Sequence, residues 1–344
     1  MNTDIVLILA QDGLVNAAVY ALAAIAIVLV YAVTRIVFVP QGEFVAYGAL
    51  TFAGLLSGVV PTTAWLMLGG AIAICVIDVW KAYRGGVTSK AIVKSLAGIF
   101  YALAVVFVAW RFAPGGMSQV LAIPLTLAIM IPLGPQIYRL AFEPLAGASV
   151  LMLLIVATAV HFVMVGVGLL AFGAEGSRNP PVADFSMTLG PVLVTAQSIW
   201  VIVASLAAIV ALWLFFGLTL RGRALRAVAV NRVGAKLVGI RGKHAGRLTF
   251  ALAAGIGTTC GILISPVTTI YYDTGFLIGL KGFVAAIIGG LASYPLAAAG
   301  ALLVGILESY SSFWASAYKE VIVFTLIIPV LLCRSLRGIH FEEE

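Results

Sequence analysis

A chain of 344 residues, 63% of them hydrophobic and only 10% charged, has too little polar surface to clothe a soluble globule, whose apolar share is about half. A membrane barrel is excluded too, because its short alternating segments are missing and long uncharged runs stand in their place. The net charge of +7 would point to nucleic acid only on a folded basic domain, and no such domain fits between the apolar runs.

In chain order, breaks at charges, prolines and glycines leave eleven apolar segments: 14 to 34, 44 to 60, 64 to 79, 95 to 112, 119 to 133, 147 to 172, 191 to 217, 248 to 264, 276 to 290, 296 to 312 and 320 to 333. Several match the roughly 20 residues a helix needs to cross hydrocarbon. Those of 14 to 17 residues read equally well as half-helices or re-entrant pieces, so nine to eleven is the expected range. The fold class is all-α: a polytopic bundle forming one membrane domain over 1 to 344.

The first run follows Asp4 and Asp12 rather than a basic stretch, and so reads as a retained helix and not as a cleaved signal. After it come Arg35 and Gln41-Gly-Glu-Phe. Gly42 beside Glu43 would permit a broken helix of the kind that builds transport sites, and a surface turn fits equally well. Residues 75 to 125 read as an additional pair of segments. His161, inside a long apolar run, is expected to be a hydrogen-bonded packing residue. The loop from 173 to 190 carries the Pro and Gly of irregular structure; it suits a connector or a surface facing a soluble partner.

The stretch from Arg221 to Arg247 holds Arg221, Arg223, Arg226, Arg232, Lys236, Arg241, Lys243 and Arg247, with no Asp or Glu. If this block is cytoplasmic, strict alternation puts Lys81, Arg84, Lys90, Lys94, Arg139, Arg334 and Arg337 on the same side. The expected orientation is therefore amino terminus outside and carboxyl terminus inside. Within the block, Val230, Val233, Leu237 and Ile240 recur at helical spacing on one face and Arg232 and Lys236 on the other. Asn231 suits the helix cap, and Gly239 or Gly242 its end. The expectation is a surface helix about 15 Å long, serving either as an orientation signal resting on lipid or as a docking element whose Gly234 and Ala235 admit a close approach.

Two charges fall inside apolar segments, where each needs a partner or water. Counted from a turn at Ser293 to Pro295, Lys281 lies about 12 residues before it and Glu308 about 14 after, so at 1.5 Å per residue they reach nearly the same depth. A Lys281–Glu308 contact is expected, as a structural pair or as part of the path. Ala253, Gly257 and Gly261, Gly275 and Gly279, and Ala301 and Gly305 recur every four positions and would let helices pack closely, including against a sister chain. Cys75, Cys260 and Cys333 have no pairing or metal-ligand spacing and read as buried small hydrophobes.

Asn231-Arg-Val-Gly-Ala-Lys-Leu-Val-Gly-Ile240, followed by Leu248-Thr-Phe-Ala-Leu-Ala-Ala-Gly255, resembles the coupling loop of permeases in the branched-chain amino acid class of ABC importers. Gly279 to Ser293, Gly300 to Ser309, Asn16 to Tyr31, Gln41 to Ala49 and Arg139 to Gly147 resemble other segments of that family, in its order. Gln41 stands where the family usually has His, Glu143 where it usually has Arg, and the acidic residue of its coupling motif has no clear counterpart, Asn231 being nearest.

The resemblance implies a multi-pass subunit of the bacterial inner membrane that pairs with a second homologous permease. It also implies a periplasmic binding protein that delivers substrate and two cytoplasmic ATPases that use ATP, so that this chain binds no cofactor or metal itself and has no catalytic residue. ATPase coupling would fall on the loop at 218 to 247, chiefly Asn231, Arg232, Val233, Gly234, Ala235, Lys236, Leu237, Gly239 and Ile240. The candidates for the path are Gln41, Gly42, Glu43, Lys281 and Glu308. Consistent with separate ATPases, the chain has no Gly-x-x-x-x-Gly-Lys-Ser/Thr loop. The implied cargo is a branched-chain or other hydrophobic amino acid, with urea, amides or small aromatic acids as variants. An ion-gradient-driven transporter is the rival. An intramembrane enzyme is disfavoured by the lack of His-Glu-x-x-His or Gly-x-Ser-x-Gly.

Overall fold

The computed structural model describes residues 3–84 and 89–336. Each of the eleven apolar runs contains helix, although the run from 191 begins at a strand and that from 44 outlasts its helix. Among the described residues nine helices are long and apolar enough to cross a membrane, which makes this a membrane protein built as an α-helical bundle.

α1 (Thr3–Thr34) is apolar all round and buried along most of its length, with Leu22, Ala23, Ala24, Val28, Leu29 and Val30 fully enclosed. A helix without a polar face belongs inside a bundle, and α1 packs against α7 (Ala196–Leu218), α10 (Gly242–Ile264), α11 (Thr274–Ile288) and α12 (Tyr294–Trp314). It ends at Arg35, whose left-handed backbone (φ 59°) stops the helix. An irregular stretch and a single 3-10 turn, Val39–Gly42, then lead into α2 (Glu43–Leu56).

α2 and α11 are the two short apolar helices of the core, 14 and 15 residues long. At about 21 and 22 Å each falls short of the roughly 30 Å hydrocarbon layer. Their amino ends cross at Gly42 and Gly275: a Cβ on Gly42 would stand 1.9 Å from the Gly275 carbonyl oxygen, and one on Gly275 would stand 2.3 Å from that of Gly42. Only glycine on both sides allows this approach.

The other stripes of small residues are used in the same way. Gly257 faces Phe44 and Gln41, Gly261 faces the Val45 carbonyl, and Gly305 faces Gly13 and Ala17. The expectation that such stripes serve a sister chain is thereby corrected for these positions, since internal helix crossings already occupy them.

α3 (Thr62–Tyr83) and α4 (Ser89–Phe112), from the region expected to be an additional pair, pack as a hairpin with α5 (Gln119–Ile137) around a second apolar cluster that includes Phe52, Met67, Ala102, Ala109 and Ile129. Phe100, Phe107 and Trp110 on α4 face outward, as suits lipid. α5 carries Pro124, Pro132 and Pro135 and passes into a π-turn at Tyr138–Phe142, where the prolines have removed donors from the regular ladder.

After α6 (Val150–Phe172), the 173 to 190 loop is more than a plain connector. Ser177 pairs with Ile270, Asn179 donates to Ser265 Oγ (2.8 Å) and to the Ala49 carbonyl (3.2 Å), and Arg178 donates to the Pro266 carbonyl. The loop is thus stitched onto the α10–α11 connection. It continues into a hairpin, β1 (Ser186–Leu189) and β2 (Val192–Thr195), that an apolar count starting at 191 does not reveal.

Past α7 come two surface helices, α8 (Leu220–Val230) and α9 (Arg232–Leu237), and after α12 the chain closes with α13 (Lys319–Thr325) and α14 (Ile327–Leu336). Cys260 is buried as expected and Cys75 half-buried, but Cys333 is exposed: α14 lies at the rim of the bundle, where an apolar neighbourhood in sequence does not mean enclosure. Arg337 and the side chains of Lys90 and Arg334 lie outside the described residues.

Candidate functional site: two buried polar clusters and a surface helix

The first cluster forms where α2 begins. Gln41, Gly42 and Glu43 are all buried, and Gln41 Nε2 donates to the Ala253 carbonyl at 3.0 Å on α10. Glu43 Oε1 lies 3.1 Å from Nδ1 of His161, at the midpoint of α6, and Phe276 on α11 stacks on the imidazole (4.6 Å between centroids). The contact is close, but no hydrogen bond is aligned through it. Both Glu43 oxygens, Gln41 Oε1 and His161 Nδ1 are buried without a hydrogen-bond partner. Buried polar groups normally find partners, and these four atoms are half of the eight buried side-chain N and O atoms without a hydrogen bond among the described residues, which makes the start of α2 their densest grouping. His161, expected to be a hydrogen-bonded packing residue, packs on Phe276 and meets Glu43 in this cluster. The pairing escapes the sequence because 118 positions separate the two residues.

The second cluster is the expected one. Lys281 Nζ is 2.5 Å from Glu308 Oε1, so α11 and α12 do form the hairpin that puts them at equal depth. Two members are new: Glu320 on α13, whose Oε1 is 3.2 Å from Lys281 Nζ, and Tyr20 on α1, whose hydroxyl donates to Glu308 Oε2. Tyr20 carries no charge, and Glu320 starts a run that reads as a span, which is why neither stands out in sequence. Gly279 and Lys281 are two residues apart, about 200° around α11, so the helix touches Gly42 with one side and Glu308 with the other. The five residues proposed for one path divide between these two clusters.

The basic end of the bundle is more ordered than its composition suggests. Asp78 accepts from a single Arg139 nitrogen, Nη2, at both carboxylate oxygens (2.9 and 2.8 Å), and from the Ser95 hydroxyl. Glu143 accepts two hydrogen bonds from Arg247, both 2.8 Å, with Lys243 at 3.8 Å. Two parallel hydrogen bonds of the Arg247–Glu143 kind are the strong form of the ion pair. They give Glu143 a purpose at the position where the resemblance leads one to expect Arg.

α9 is shorter than expected, six residues or about 9 Å. Asn231 caps it, its Oδ1 accepting from Gly234 N at 2.7 Å. Gly239 (φ 85°) ends it in a Schellman turn, with Ile240 N bonded to the Ala235 carbonyl and Gly239 N to that of Lys236. The turn corrects the expected faces. Val230, Val233 and Leu237 point outward, 81, 71 and 83% exposed, while Ile240 folds under and packs on the core beside buried Ala235. Lys236 remains exposed. Arg232 reaches back to donate to the Val33 carbonyl at the end of α1 (2.8 Å), and burial, then the nearby Arg35 charge, push its pKa down.

Comparison with known proteins gives this arrangement a family. Residues 95–331 match the family described as branched-chain amino acid transport system / permease component. The chain belongs to that family. It is 28% identical over 225 residues to the high-affinity branched-chain amino acid transport system permease protein BraD of Pseudomonas aeruginosa, covering 63% of this chain and 73% of that one. To the corresponding permease protein LivH of Escherichia coli K12 it is 32% identical over 208 residues, 58% of this chain and 67% of that one. A structural likeness to PsaBC from Streptococcus pneumoniae in complex with Fab, at 11% identity over 97% of this chain and 91% of that one, has a TM-score of 0.35, too low to bear on the fold. The match to this permease family runs through α9, α11 and α12.

Proposed function

We propose that this permease is one half of the membrane path of an ATP-driven importer of the bacterial inner membrane. It works with a second homologous permease, two cytoplasmic ATPases and a periplasmic binding protein, and its cargo is a branched-chain or other hydrophobic amino acid. Family membership supports the class. The observation that carries the mechanism is the exposed apolar face of Val230, Val233 and Leu237 on a helix capped at both ends, beside the cation-rich end of the bundle. Under the positive-inside rule that end is cytoplasmic, where an ATPase would meet it.

On this reading α9 is the lever. Arg232 ties it to the end of α1, and α1 runs through the core to α11 and α12. Closure of the ATPases on ATP would press the Asn231–Gly239 turn and tilt α1. The break between α1 and α2 then lets Glu43 move relative to α11. Within the path, Glu43 and His161 are the groups with free valence for a zwitterion's ammonium or carboxylate. Lys281 pairs with Glu308 and with one oxygen of Glu320, and so holds α11, α12 and α13 together, while Glu320 Oε2 has no hydrogen-bond partner.

The deciding experiment is uptake by proteoliposomes holding the permease pair, with the ATPases and binding protein added or withheld. Uptake should require all of them and ATP. Uptake by this chain alone, driven by an ion gradient, would overturn the proposal. Binding measurements on the soluble binding protein then choose among hydrophobic amino acids, urea, amides and aromatic acids.

A further inference from the structure

A groove of about 680 Å³ runs between α1, α7, α8 and the start of α12, and apart from Val33 and Val230 no residue lining it enters the function proposed above. Its chemistry changes along its length. Ile25, Ile209, Leu212 and Ala298 line one end, and Arg35 and Arg226 stand at the other; among the described residues no acidic side chain lines it. Ile25 and Val33, both on its wall, are eight residues apart on α1, so the groove follows the helix axis for at least about 12 Å.

The arginine end is built rather than incidental. Arg35 occupies a left-handed backbone position at the end of α1, where glycine is the usual residue, and its guanidinium lies 5.8 Å from the Tyr31 ring. Arg226 is within electrostatic reach of Tyr294, whose ring stacks on Phe216 in the groove wall. Neither arginine is in an ion pair among the described residues, and Arg232 adds a like charge near Arg35.

We propose that this groove is a binding site for one anionic phospholipid from the leaflet on the α8 side, with an acyl chain against Ile25, Leu212 and Ala298 and the phosphate at Arg35 and Arg226. The occupant follows from the gradient in the walls. An apolar slot ending in two guanidiniums matches an amphiphile whose anionic group sits at membrane-surface depth, and basic pockets between spanning helices are where anionic headgroups bind. A neutral lipid or an apolar helix of another chain would leave two cations uncompensated at the membrane edge. A free phosphate would leave the apolar end wet.

The test is native mass spectrometry of the full chain in detergent, titrated with dioleoyl phosphatidylglycerol or dioleoyl phosphatidylcholine. The expected result is one retained phosphatidylglycerol, held at least tenfold more tightly than phosphatidylcholine. Retention should be lost in the Arg35→Gln/Arg226→Gln double variant and kept in Arg221→Gln, a change on the same helix outside the groove. Ala298→Trp, which fills the apolar end and leaves both arginines, should also abolish it, so the test survives a double variant that fails to fold. Equal retention of the two lipids, unchanged binding in the double variant, or displacement by millimolar inorganic phosphate would each overturn the proposal. So would a Trp213→Cys cross-link to the sister permease in the assembled transporter, which would show that protein covers the groove.

Discussion

The two buried clusters are made of similar groups yet satisfied very differently. Around Lys281 one ammonium serves two carboxylates, and a tyrosine hydroxyl serves one of them. Around Glu43 a carboxylate, an imidazole and an amide oxygen are brought together with most of their hydrogen-bonding capacity unused. A buried ionic network that is nearly complete acts as a fastener; an incomplete one is maintained at a cost, which is where transport chemistry should be sought. The contrast also shows that charge inside a membrane segment does not by itself mark a path, since the more conspicuous pair in the sequence is the one better satisfied.

The largest effect expected is at the crossing beside Glu43. Gly42→Val puts a side chain into the Gly275 carbonyl and should prevent the folded chain from accumulating, read as loss of monodisperse protein after purification. A normal yield would mean that the α2–α11 crossing is looser than its geometry. Next, Lys281→Met strands two carboxylates and should cost about 3–5 kcal/mol in stability. The Lys281→Met/Glu308→Leu double variant should recover part of that loss in a thermal unfolding assay. A single variant as stable as the parent removes the fastener from the comparison.

A functional split should follow. Glu43→Gln is expected to reduce uptake per folded molecule by at least tenfold, about 1.4 kcal/mol in transition-state terms, with little change in thermal midpoint. Glu308→Gln should do the reverse, lowering the midpoint and leaving uptake per folded molecule near normal. Exchanged outcomes would reverse the roles assigned to the two clusters. In the same fastener as Glu308, Tyr20→Phe removes one hydroxyl from a charged acceptor and should cost about 1.5–3 kcal/mol of stability. Asn231→Ala, in neither cluster, should cost about 1 kcal/mol of local helix stability; it thereby calibrates how much of any transport loss comes from the surface lever alone.

Much of this was legible in the residues because membrane burial simplifies the code. Hydropathy located all eleven apolar runs, and depth counting from Ser293 placed Lys281 against Glu308, because a tight hairpin leaves little freedom in the count. Asn231 and Gly239 announced the ends of α9 through well-defined cap chemistry. What stayed hidden depends on contacts between distant segments. His161 meets Glu43 across 118 residues, Tyr20 meets Glu308 across 288, and no local pattern encodes either. Ile240 was assigned to the wrong face because a helical period was extended past the glycine that ended the helix.

The shortness of α2 bears on how the chain is made. At 14 residues it has little insertion energy of its own, and it carries Glu43 at its leading end. Its packing partners α10 and α11 begin about 200 residues later in the sequence. At the usual 5–20 residues per second, roughly ten to fifty seconds separate synthesis of Glu43 from synthesis of Phe276. During that interval α5 and His161 of α6 are already available to α2, but α10 and α11 are not, so the surroundings of Glu43 are incomplete. The site around Glu43 in the amino-terminal third is therefore complete only when the carboxyl-terminal third has arrived.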